Sequence, residues 1–165
     1  MVSNVRPNRI LASFLVVSAV GLYAPAPFAA QAPSASRPSL DYEYFKTRVE
    51  PIFLKKRWPD HARCYICHSP SGEGYRAAFR LEKMSAGSSF WTEEQSRRNF
   101  ELVSRLVTPG QPLSSRLLMH PLWHLEAGGD SYHEGGRQFV SQDDPDWVTL
   151  AEWVRGQKAG GSSGK

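Results

Sequence analysis

Cys64-Tyr65-Ile66-Cys67-His68 decides how this chain is read. The spacing is C-x-x-C-H, the pattern for covalent attachment of a c-type haem. Each element has a chemical task. The two thiols suit addition across the two vinyl groups of a haem, forming thioethers. Their spacing lets one helical turn or tight bend present both sulfurs to one porphyrin edge. The adjacent His68 then reaches the iron as proximal ligand. Cys64 and Cys67 are the only cysteines in the chain.

Other uses of the pentapeptide ask for residues that are missing or far away. A four-thiolate zinc site needs a second cysteine pair. His120 and His124 have H-x3-H spacing, so a two-Cys, two-His site is a formal alternative, but the gap from Cys67 to His120 far exceeds a zinc-finger loop. A thioredoxin-like pair calls for a βαβ context, which the sequence does not display. A structural disulfide leaves His68 without a role.

The N-terminus reads as an export signal. Arg6 and Arg9 form a basic start, Ile10 to Tyr23 is an apolar run, and Ala24 to Ala32 offers small residues for cleavage. Residues 1–32 are therefore expected to leave, with the cleavage point between 24 and 32. An uncleaved anchor facing the periplasm is the alternative, although the run is short for a membrane span. Export and C-x-x-C-H agree, because bacterial haem attachment takes place outside the cytoplasmic membrane.

The full chain has a formal charge of +4, and losing Arg6 and Arg9 lowers it to about +2. Two haem propionates would bring it near zero. Together with the lack of an aromatic-basic stripe, this argues against nucleic acid as a partner. Residues 33–40 read as a linker, 41–155 as the folded domain and 156–165 as a disordered tail.

Within the domain the pattern is all-α. Asp41 caps a helix over about 41–56 with Phe45, Val49, Ile52 and Phe53 on one face, kinked or divided by Pro51. Residues 73–84 are ambiguous. Thr92 and Gln95 form a capping box for a helix over about 93–107, whose apolar face holds Phe100, Val103, Leu106 and Val107. Ser114 or Ser115 caps a short helix containing Leu117 and Leu118. Residues 125–140 form a glycine-rich loop. Asp143 or Asp144 caps the last helix, with Pro145 near its first position and Trp147, Leu150, Trp153 and Val154 on one face.

This order of parts resembles the cytochrome c fold, and most closely the planctomycete-type cytochrome c domains. Three segments carry the likeness: Val49-Glu50-Pro51-Ile52-Phe53, Pro109-Gly110-Gln111-Pro112 through Ser115-Arg116-Leu117-Leu118, and Asp146 through Val154. Together they span essentially the whole folded unit. The resemblance implies a small helical domain wrapped around one covalent haem c. It also implies electron transfer with redox partner proteins in an exported respiratory or related chain.

Where that family carries Met-Pro before the last helix, this chain has Ser131-Tyr132-His133-Glu134-Gly135-Gly136. By position His133 fills the distal-ligand slot, and its neighbouring glycines let the backbone pass close to a porphyrin. Met119, His120 and His124 are the alternative distal ligands; Met119 reads equally as an apolar helix residue. His61 lies too near the attachment motif to cross to the other face. His/His ligation implies a six-coordinate, lower-potential carrier with no catalytic position. Two other functions remain open. One is a small peroxidase-like haem enzyme or gas sensor, in which Glu134 or Arg137 would act unless they are simply charged residues of a solvated loop. The other is a noncatalytic haem subunit of a larger respiratory complex. Trp147, Trp153 and Phe100 are expected to pack around the haem or between helices.

Overall fold

The computed structural model describes residues 37–161, apart from 73, 75, 76, 124–126, 131 and 132. The expected export segment and cleavage region, His124 and residues 162–165 of the expected tail lie outside the described residues. Within them the protein is a small, mostly helical domain without a sheet. No described helix is long and apolar enough to cross a membrane.

Helix α1 begins as Tyr42–Tyr44, widens into a π-helical stretch at Phe45–Val49 and closes as Glu50–Leu54. Asp41 starts it, its carboxylate accepting from the Tyr44 N–H at 2.7 Å, which satisfies one of the unpaired donors of a helix start. Pro51 does not end the helix. The Glu50 N–H reaches back to the Phe45 carbonyl, and the wider turn sets Pro51 in the first turn of a fresh α-helical stretch. A missing N–H costs least there.

Four further α-helices follow among the described residues, α2 at Cys64–His68, α3 at Glu93–Ser104, α4 at Arg116–Met119 and α5 at Pro145–Val154, with a 3-10 turn at Pro112–Ser114 before α4. The α3 capping box is present in both directions: Thr92 Oγ1 accepts from Gln95 N at 3.3 Å, and Gln95 Oε1 from Thr92 N at 2.9 Å. α3 stops at Ser104, short of the expected 107. Beyond it the Leu106 carbonyl accepts from Leu117 N at 3.1 Å, so Leu106 and Val107 belong to the turn into α4. Ser115 precedes α4 but its side chain does not cap it. The buried hydroxyl instead accepts from Thr108 N at 2.9 Å and donates to the Gln111 carbonyl at 2.8 Å, closing the Pro109–Pro112 turn. Asp144 caps α5, accepting from Asp146 N at 3.0 Å, with Pro145 next in line.

The core forms where α1, α3 and α5 meet. Phe45 lies 5.4 Å from Phe100 and 5.3 Å from Trp153, centroid to centroid. Trp147 and Trp153 are buried, and their indole N–H groups donate to the Leu118 carbonyl at 3.3 Å and the Asp41 carbonyl at 3.0 Å. Both tryptophans therefore serve helix packing, each with its polar edge satisfied. A polar node joins α1 to α3. The buried Glu50 carboxylate accepts from Ser96 Oγ at 2.7 Å and Asn99 Nδ2 at 3.1 Å, and Asn99 Oδ1 accepts from Glu82 N at 2.7 Å. Desolvation raises the Glu50 pKa, and the Ser96 and Asn99 hydrogen bonds partly oppose that shift.

The chain entering α2 is clasped to the C-terminal half. The largely buried Arg57 guanidinium donates to Asp144, Asp146 and the Gln138 carbonyl and lies 4.8 Å above the Phe139 ring. Leu122 and Phe139 form an isolated parallel bridge that closes the base of the glycine-rich loop. Residues 156–161 of the expected tail make contacts with the linker end: Gly156, at φ +92°, backs onto Pro38, and Lys158 Nζ donates to Ser39 Oγ at 3.0 Å.

Candidate functional site

α2 is a single helical turn, so Cys64 and Cys67, three positions apart, lie on one side of it. Both line a cavity of about 440 Å³ together with His68, a volume within the usual range for ligand and cofactor pockets. Apolar side chains form much of its wall, among them Ile52 and Phe53 of α1, Leu117 of α4 and Leu150 of α5. His120, His133, Glu134 and Gly135 come from the C-terminal half. Arg63 and Arg116 also line it and are exposed.

The backbone after α2 returns tightly over it. A Cβ added at Gly72 would lie 2.2 Å from the carbonyl oxygens of Ile66 and Cys67, and one at Gly74 3.1 Å from His68 Cε1. Any side chain at Gly72 would collide, so glycine is required for the chain to pass this closely over α2.

His68 is half-buried. Its ring lies 4.6 Å from that of Phe79, and its Nδ1 is 2.9 Å from the Phe79 carbonyl. A carbonyl only accepts, so Nδ1 carries the proton and the lone pair is left on Nε2. His133 repeats the arrangement: Nδ1 is 3.0 Å from the Gly136 carbonyl. Burial lowers the pKa of both imidazoles. That favours the neutral form, the one able to ligate a metal. Their ring centroids are 6.3 Å apart with planes inclined at 40°. His133 is held by a turn at Gly135 and Gly136, both at positive φ (+80° and +88°). A Cβ at Gly135 would sit 3.6 Å from Cys67 Sγ, so this turn passes beside the cysteine edge of the cavity.

The remaining candidates separate. His120 lines the cavity, 5.1 Å from the His133 ring, with its Nδ1 3.0 Å from Asp130 Oδ1. Met119 is half-buried in the last turn of α4, packs against the core and is not among the cavity-lining residues. His124 lies outside the described residues. His61 stands by Trp58, 6.2 Å between centroids, outside the cavity lining. Glu134 is exposed at the cavity. Arg137, expected in a solvated loop, is buried and donates to the carbonyls of His120 and Leu122 at 2.8 and 2.7 Å. Its guanidinium holds the base of the loop together. Trp147, Trp153 and Phe100, expected around a haem or between helices, belong to the helix core; the aromatics that line the cavity are Phe53, Phe79 and Phe139.

Cys64 and Cys67 are free thiols. Burial pushes the Cys64 thiol up to about 12, opposite to the depressed values of thiol–disulfide catalysts. Among the described residues no group of three or more His, Cys, Asp or Glu side chains is arranged to hold a metal ion. What the cavity offers is two thiols on one edge, the three imidazoles of His68, His120 and His133, and an apolar wall.

Sequence reasoning missed Phe79, because residues 73–84 showed no clear period. It also missed the pairing of His120 with Asp130, two loop residues that share no local pattern. No family model, curated protein or solved structure matches the chain.

Proposed function

We propose that this chain is an exported monohaem c-type cytochrome, carrying single electrons in a respiratory or related chain, with Cys64 and Cys67 as covalent anchors and His68 and His133 as axial ligands. The observation that carries this reading is the His68–His133 pair beside the two cysteines. With metal–nitrogen bonds of about 2 Å on each side, two imidazoles on opposite sides of one iron hold their centroids about 6 Å apart. The observed separation is 6.3 Å. Each ring is also tied through Nδ1 to a backbone carbonyl, the outer-shell contact that orients a ligating histidine.

Haem c would supply one-electron iron redox chemistry. The rest belongs to the chain. Cys64 and Cys67 would hold the group through two thioethers, each thiol giving its sulfur to one carbon of a vinyl group and its hydrogen to the other. Phe53, Phe79 and Phe139, which line the cavity, would keep water from the group. The exposed cations Arg63 and Arg116 suit the charge of two propionates. Filling both axial positions with protein imidazoles leaves none for a substrate, which favours a carrier over an enzyme. The haem enzyme or sensor reading draws on one observation, the third imidazole of His120 beside His133.

Expression with the haem-attachment machinery tests the proposal. The exported protein should keep one haem per chain through denaturing electrophoresis, and Cys64→Ala with Cys67→Ala should lose it. A colourless wild-type protein would refute the proposal.

A further inference from the structure

The turn that carries His133 is held from two sides by residues that do not themselves reach the iron. Gln138 is 3% exposed and spans the two halves of the site. Its Nε2 donates to the Gly136 carbonyl at 3.2 Å and to the Ala62 carbonyl at 3.2 Å. Both partners are acceptors, so the amide orientation is forced. The Gly136 carbonyl is the same one that accepts from His133 Nδ1, and Ala62 is two residues before Cys64. Gln138 is itself fixed: its N–H donates to the Pro121 carbonyl at 2.9 Å, and its carbonyl accepts from Arg57. From the other side the His61 ring lies directly on Gly136. A Cβ there would sit 2.6 to 2.8 Å from three atoms of the imidazole.

We infer that Gln138 is the positioning residue for the distal ligand, one amide bridging the cysteine segment and the His133 turn, with His61 as the wedge that keeps the turn in place. The inference rests on the haem reading above and goes beyond it: it names what holds His133 on the iron. One carbonyl, at Gly136, receives both the ligand's N–H and the bridging amide. Removing the amide frees that carbonyl to rotate, and the imidazole with it. Removing the His61 ring has the same consequence through packing.

The test uses haem-loaded full-length protein and compares wild type, Gln138→Met, His61→Ala and His133→Ala. Carbon monoxide binds ferrous haem only after the sixth ligand leaves, so its capture rate reports how firmly His133 is held. Loss of a direct outer-shell partner weakens ligation by about 10- to 100-fold. Gln138 acts one contact further out, through the Gly136 carbonyl, so carbon monoxide capture by Gln138→Met should accelerate by about 10-fold, the low end of that range. Ferric Gln138→Met should show a high-spin fraction that added imidazole returns to low spin. A purely structural role would lower the unfolding temperature and leave both readouts at wild-type values; that result overturns the inference. If Gln138→Met does not accumulate, His61→Ala carries the same expectation and the same refutation. His133→Ala separates the two levels of the argument. If it stays low spin, the ligand assignment fails and this inference falls with it. If it turns high spin while the other variants match wild type, only the inference fails.

Discussion

The imidazoles of His68 and His133 stand 6.3 Å apart, centroid to centroid, although they come from opposite halves of the chain. Each is aimed by the same device, an Nδ1–H bonded to a backbone carbonyl, that of Phe79 for one and of Gly136 for the other. The relation explains why a motif of five residues does not suffice. α2 supplies both thiols and one imidazole, and a glycine turn some seventy residues later brings the second imidazole to the same cavity.

His133→Ala should vacate the sixth position, turn the ferric haem toward high spin and open the ferrous form to carbon monoxide. Some adventitious peroxidase activity should appear, since peroxide can then reach the iron. His120→Ala should keep the low-spin spectrum, because the ring that stands 6.3 Å from His68, the spacing of two axial imidazoles, is that of His133. A high-spin His120→Ala beside a low-spin His133→Ala would exchange the two assignments.

Met119 packs on the core from the end of α4. Met119→Leu, a nearly volume-conserving change that costs under about 1.5 kcal/mol, should leave the visible spectrum unaltered. The weak charge-transfer band of methionine–ferric iron coordination should be missing from wild type. Finding that band, and losing it in Met119→Leu, would make Met119 the ligand.

Trp153 is fully buried between Phe45 and Phe100, with its N–H on the Asp41 carbonyl. Trp153→Ala should cost about 3–5 kcal/mol of stability through the cavity it leaves, measured by urea unfolding of the haem-loaded protein. Any protein that folds should keep its axial ligation, since Trp153 is not among the cavity-lining residues.

Glu50 makes a pH prediction. Its pKa is raised in the fold, chiefly by desolvation, so between the ordinary glutamate value and the raised one the native state binds more protons than the unfolded state. In that window the Glu50 contribution stabilises the fold as pH falls and is lost as pH rises through the raised value. Glu50→Gln keeps an acceptor for Ser96 and should flatten this part of the stability–pH curve. Its stability relative to wild type should be greatest above the raised pKa and shrink on acidification. A difference that does not change with pH would count against a charged, desolvated Glu50.

Much of the helical plan is legible in local sequence because its signals are local. Asp41, the Thr92–Gln95 box and Asp144 with Pro145 announce helix starts that the structure carries. Pro51 announces a divided helix, and the division takes the form of a π-helical stretch at Phe45–Val49 followed by a fresh α-helical start at Glu50. Ser115 looks like a cap, but its hydroxyl is used up by the turn before it. Cys64, Cys67 and His68 stand out by their spacing and His133 by its place in the order of parts, and the structure brings all four to one cavity. Phe79, Gln138 and the burial of Arg137 are not legible. Their roles depend on contacts between segments far apart in sequence, which no period or cap encodes.

The most direct test is a low-temperature EPR and near-infrared spectrum of the oxidised wild-type protein, purified after export with the haem-attachment machinery present. The account predicts one covalent haem per chain, wholly low spin, with the signature of two axial imidazoles. A protein without haem, a high-spin ferric centre or a histidine–methionine signature would contradict it.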